Sequence, residues 1–439
     1  MHDALNMHEL LGEELVQCQQ SGHAVDVGLA ERVKLASLDT TTPLSEVDRL
    51  YDALESSPEE VGWDYDEPSR LEDIQAQTSP LRRTSPPLER EYSDRVVAAW
   101  LGRCAGCNLG KPVEGYGWNR GKLRQYLEQA GAYPLDNYLP VLDPMPPGFA
   151  LNPSWKVATR GRVKPMARDD DTDYTMLGLR LLETQGRGYH SADVAQEWLR
   201  ALPFHMVYTA ERVAYRNLVR GFRPPATATT RNPYREWIGA MIRADIFGYV
   251  SPGDPQGAAL LSYQDATLSH TANGIYGEMW AAALVGAAFT SASAKEALEQ
   301  AAQVVPRRSR LAESLRLTMT AHEEGGSWDD AMASMEKRLD GYHWVHTINN
   351  AEVVTAALLW GEGDFSRTVG LAVEAGLDTD CTGATAGSVF GALHGTKAIP
   401  SHWTSPLEDR IHSAIFGFDG SSISGLASRT VELARQLAS

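Results

Sequence analysis

The sequence predicts an all-α protein: one large domain of roughly ten or more helices, preceded by a helical extension. Three observations predict it. Apolar residues recur at helical spacing from Ser93 onward, alternating apolar–polar runs are nearly absent, and no stretch repeats at a fixed period. With 439 residues, 43% of them hydrophobic, the chain can bury a sizeable core, which excludes wholesale disorder.

Residues 1–75 are rich in Glu, Asp, Gln and Ser and carry short amphipathic runs such as Leu44 to Leu54. They read as a helical extension packed on the main body. The stretch Ser79-Pro80-Leu81-Arg82-Arg83-Thr84-Ser85-Pro86-Pro87 reads as an extended linker within 76–90, because proline fixes φ and removes an amide donor. The main domain is expected over 91–439. Ser93 or Asp94 is placed to cap its first helix, whose face is Val96, Val97, Trp100, Leu101 and Cys104. Tyr174, Leu177, Leu181 and Leu182 form a second stripe, and Val353, Val354, Ala357 and Leu358 a third. Polar, glycine-rich stretches at 131–170, 220–234 and 248–257 read as loops.

Lys and Arg total 40 against 57 Asp and Glu, a net charge of −17. Such a surface repels phosphate backbones and anionic lipid, so neither nucleic acid nor a membrane surface is an expected partner. The longest apolar run, Met279 to Phe289, is too short for a membrane span, and the N-terminus lacks a basic region followed by an apolar one. A cytoplasmic location is expected. Four cysteines are too few for a disulfide framework, and the pair Cys104 and Cys107 reads as small packing residues on a glycine-rich helix.

Two helical segments depart from ordinary composition in the same way. Gly102, Gly106 and Gly110 recur every fourth residue, as do Gly383, Gly387, Gly391 and Gly395. Each glycine costs up to about 1 kcal/mol of helix propensity relative to alanine. The return is a stripe without side chains, along which another backbone can approach. The first stripe runs into Lys111-Pro112-Val113-Glu114 and the second follows Asp378-Thr379-Asp380. A third cluster is Arg168-Asp169-Asp170-Asp171-Thr172-Asp173. Consecutive carboxylates raise one another's pKa and destabilise a fold unless a cation joins them. Hard oxygen ligands without a neighbouring histidine favour magnesium, manganese or calcium, and so many carboxylates suit a pair of ions.

Four motifs in order resemble the ADP-ribosylglycohydrolases from about Ser93 to the end of the chain. "WLGRCAGCNLGKPVEG" (100–115) is similar to the family's opening glycine-rich helix and its glutamate. "DDDTDYT" (169–175) is similar to the first metal motif, "TANGIYGEMWAAA" (271–283) to the central Asn-Gly segment, and "GLDTDCTGATAGSVFGALHG" (376–395) to the second metal motif. The resemblance implies an orthogonal multi-helix fold and two magnesium ions, with manganese as the alternative. It implies metal ligands Asp169, Asp170, Asp171, Asp378 and Asp380, with Cys381 or Thr382 taking the place of the usual hydroxyl ligand. It implies catalytic roles for Glu114, Asp170 and Asp171. For the additional acidic base of some members, Asp245 and Glu211 are the candidates. Three residues depart from the family pattern: Asp169 stands for a threonine, Cys381 for a threonine or serine, and Cys107 for an aspartate.

Ribosyl glycosidic cleavage passes through an oxocarbenium-like state and needs a positioned water, a proton acceptor and help for the leaving group. The resemblance implies a substrate that contains ADP-ribose, by default on a modified protein acceptor. A small riboside is the alternative substrate, and a catalytically idle homologue the third reading. Besides Glu114, the expected substrate lining is Asn273, Gly274 and Tyr276, which would meet phosphates through a helix start, and Asn349 and Asn350. His343 and His346 read as a hydrogen-bonded pair rather than a metal site.

Overall fold

A computed structural model describes residues 5–86, 89–115 and 117–438. Its described residues are helices and loops. Isolated bridges such as Met166–Ile411 are their β pairing, and no strand forms among them. The expected all-α architecture is what the chain adopts.

The N-terminal extension consists of α1 (Met7–Gln20), α2 (Val27–Leu38), α3 (Leu44–Glu55) and the short α4 (Leu71–Ala76). Leu10, Leu15, Val33, Val47, Leu50 and Ile74 bury their side chains in the same continuous core as the main body. Polar contacts fix the docking. Glu14 pairs with Arg235 at 2.9 Å and Glu67 with Arg310 at 2.6 Å, while Ser69 Oγ accepts from the Ala272 amide. The proline-rich stretch that follows forms no helix over 79–86, residues 87 and 88 lying outside those described, and the Thr84 and Leu81 amides bond to Gly253 and Gln256.

The first long helix, α5, spans Glu89–Gly110, so it starts four residues before Ser93. Ser93 does not cap it; its hydroxyl donates back to the Glu89 carbonyl inside the helix. Glu89 and Glu91 in the first turn favour the earlier start, because carboxylates stabilise the positive end of a helix dipole. Of the helices that follow, four position the site and are labelled α6 (Asp170–Gln185), α7 (Ala272–Ala288), α8 (Thr347–Trp360) and α9 (Thr379–His394), with other helices between them. Helix α7 is buried from Asn273 to its end, as expected of a helix that is apolar on every side.

The two glycine stripes meet each other. A Cβ on Gly102 would lie 2.1 Å from the Gly387 carbonyl oxygen, one on Gly106 1.9 Å from Gly383 O, and one on Gly110 2.1 Å from Thr379 O. The pairing order runs oppositely in the two helices, so α5 and α9 are antiparallel. The C-terminal end of α5 therefore lies against the N-terminal end of α9, and the Thr379 hydroxyl donates to the Gly110 carbonyl at 2.9 Å. The segment after α5, which carries helices at Arg120–Gln129 and Trp155–Ala158, closes over this junction. Ser154 Oγ donates to the Lys111 carbonyl and the Asn152 amide to that of Pro112.

Candidate metal centre

Three chain segments converge at the α5–α9 junction. Glu114 follows the short turn Lys111–Val113 at the end of α5; Asp169 caps α6, with Asp170 and Asp171 in its first turn; Asp378 and Asp380 flank the start of α9. Ligand atoms of Glu114, Asp378 and Asp380 all lie within 4.8 Å of one another, as do those of Asp171, Asp380 and Cys381, and those of Cys107, Asp169 and Asp171. Sharing Asp171 and Asp380, the three groups form one continuous cluster.

Each carboxylate is positioned by its backbone. Asp169 Oδ1 accepts the Asp171 amide at 2.9 Å, leaving Oδ2 to the Lys111 ammonium. Arg103, fully buried on α5, holds α6 by donating to the Asp171 carbonyl at 2.7 Å and to Asp171 Oδ1 at 3.3 Å. Asn350 on α8 accepts the Asp378 amide through Oδ1, while its own amide group donates to the carbonyls of Trp344 and His346. Asn349 braces that arrangement by donating to His343 O and accepting from the Asn350 amide.

Burial and mutual repulsion set the protonation states. Burial, then the negative charge of Asp169, pushes the Asp170 carboxyl up to about 8. The same causes raise Asp171, and burial with the neighbouring Asp380 raises Glu114 and Asp378. Asp380 itself is raised, first by burial and then by Asp169. Asp169 goes the other way: against the rise that burial alone would cause, Lys111 holds it down to about 2. Burial keeps both thiols, Cys107 and Cys381, protonated well above the usual range.

A divalent ion fits this donor set. The oxygens are hard and mostly buried, they come from three separated segments, and Asp378 Oδ1 is buried with no hydrogen-bond partner. The structure brings Glu114, Asp169, Asp171, Asp378, Asp380 and Cys381 together, and Asp170 lies close enough for its charge to act on Glu114 and Cys381. Thr382 is turned away, its hydroxyl donating to the carbonyls of Asp378 and Ala372.

Other expected residues sit elsewhere. Asn273 Oδ1 accepts the Leu311 amide, Tyr276 donates to the Pro68 carbonyl, and Gly274 lies under the Arg235 carbonyl. That stretch of α7 receives the N-terminal extension. Asp245 pairs with Arg103 at 2.7 Å and Glu211 with Arg243 at 2.7 Å, so both are held by a guanidinium. His343 stacks on Trp237 with centroids 4.2 Å apart, and His346 Nδ1 accepts the Ile348 amide at the start of α8. Lys111, Arg103 and the inward-facing Cys107 carry no local sequence signal for these roles. A lysine after a glycine-rich helix reads equally well as a surface residue.

Comparison with known proteins adds a family. The family described as ADP-ribosylglycohydrolase matches residues 88–438. No curated protein matches. Among solved structures, one described as an "ADP-ribosylglycohydrolase-related protein complex" is 22% identical, with a TM-score of 0.49, covering 79% of this chain and 99% of that one.

Proposed function

The chain belongs to the ADP-ribosylglycohydrolase family, and from that premise we propose that it is a magnesium-dependent hydrolase. It cleaves the ribosyl glycosidic bond joining ADP-ribose to a modified acceptor. The observation that carries this reading is the convergence of carboxylates from the turn after α5 and the starts of α6 and α9 into one continuous cluster that contains the unpartnered Asp378 Oδ1. Asp169, Asp170, Asp171, Asp378 and Asp380 would hold the metal, with Cys381 at its edge. Bound there, magnesium supplies positive charge that orients ribose hydroxyls and acidifies water.

The chain's own residues do the rest. Glu114 is partly exposed beside Asp378 and Asp380, where it is suited to passing a proton to the leaving group. Asp170, also partly exposed beside the cluster, is the residue suited to accepting the proton of the attacking water. Arg103 keeps Asp171 fixed, and Asn350 fixes the start of α9 from outside the cluster. Incubation with ADP-ribosyl-arginine, ADP-ribosyl-serine and simple ribosides, each with and without magnesium, tests the reading. Magnesium-dependent release of ADP-ribose is expected. Cleavage of simple ribosides alone would move the substrate class, and no cleavage of any would leave a binding protein.

A further inference from the structure

We propose that the Lys111 ammonium takes one of two cation places in this centre, so that the chain binds a single divalent ion, in the part formed by Glu114, Asp378 and Asp380. The proposal rests on the metal-dependent reading above, adds a stoichiometry to it and narrows the ion's ligands to Asp378 and Asp380, with Glu114 bordering the ion and Asp169 and Asp171 left to protein cations.

The position of Lys111 is fixed by main-chain contacts. Gly110 lies against the backbone of Thr379 and Asp380, Thr379 Oγ1 bonds the Gly110 carbonyl, and Ser154 Oγ bonds the carbonyl of Lys111 itself. From that anchor the side chain, only 13% exposed, reaches inward and bonds Asp169 Oδ2. A lysine ammonium is a compact point charge on a flexible stem, able to sit where a small cation would.

The two ends of the cluster differ in how their charge is met. At the end formed by Cys107, Asp169 and Asp171, each carboxylate already has a cation: Lys111 for Asp169 and Arg103 for Asp171. Its third member is a thiol, a poor ligand for a hard ion. At the end formed by Glu114, Asp378 and Asp380, no lysine or arginine ion pair is made among the described residues, and Asp378 Oδ1 is buried without a partner. One end already has protein cations against its carboxylates, Arg103 being shared with Asp245, and the other has none paired to it and still needs an ion.

Titrating metal-free protein with Mn2+, with free ion followed by its paramagnetic resonance signal, tests this. One ion bound per chain is expected, and two in Lys111→Gln, with Lys111→Arg remaining at one. Two ions bound by the unaltered chain would overturn the proposal while leaving the hydrolase reading intact, whereas none bound would overturn the metal reading itself. A count still at one in Lys111→Gln would overturn the assignment to Lys111. Should that variant not fold, the count for the unaltered chain decides alone.

Discussion

Two of the carboxylate clusters among the described residues differ at their centres. In one, Glu211, Asp265 and Glu278 surround Arg243, which pairs with the first at 2.7 Å and the last at 3.5 Å, and bonds Asp265 through Nε. In the other, Glu114, Asp378 and Asp380 face one another with no guanidinium between them. Burial raises carboxyls in both; Glu211 is pushed up to about 6. The difference teaches that a buried acidic group marks a site only when the chain does not itself supply the counter-charge.

The largest test of this contrast is Asp380→Ala. Hydrolysis should vanish, and so should the magnesium-induced rise in Tm, which at a hundredfold excess over Kd is worth about 2.7 kcal/mol. Metal-free stability should hold or increase, because one repelling charge is gone. Arg243→Met should do the opposite in a denaturant titration. It strands three buried carboxyls and costs roughly 3–5 kcal/mol, while the magnesium-induced rise persists. If both variants lost stability alike, the two clusters would be of one kind.

Asn350→Ala sharpens the comparison from outside the carboxylates. With the Asp378 amide released, calorimetry should show metal affinity falling about 10–100-fold, since removing such supports typically has that effect. The smallest effect is on pH dependence. A carboxyl raised in the fold gives its full stability below its unfolded value of about 4 and loses it as pH rises through the folded one, which for Asp170 is about 8. Metal-free Tm should therefore decline between those limits. The increment given by magnesium should grow over the same range, because the metal competes with protons. An increment flat with pH would break the link between repulsion and metal binding.

Much of the centre was legible because its parts are local in sequence. The run 169–171, the pair Asp378 and Asp380, and the glycines every fourth residue each declare themselves within one or two helical turns. Their meeting was legible only in outline: each glycine stripe announced a close neighbour, and the structure shows that the neighbour is the other stripe. Features that depend on a distant partner were not legible. Nothing near Lys111 announces Asp169, and composition alone does not distinguish Cys107 from Cys104 one turn earlier; only the resemblance, which sets Cys107 at an aspartate's place, did so. The segment from Asn273 to Tyr276 had the small and polar residues of a ligand-binding helix start. Docking the stretch around Pro68 and Ser69 calls for the same residue types. The Arg243 cluster was invisible, since its members are scattered from Glu211 to Glu278.

Where α5 meets α9, the spacing is gauged by carbonyl oxygen against α-carbon, with no rotatable group in between. Side chains elsewhere in the core can hop between rotamers without altering that gauge. The interval from the first motif to the last is thus a property of the main chain, and warming should blur it last.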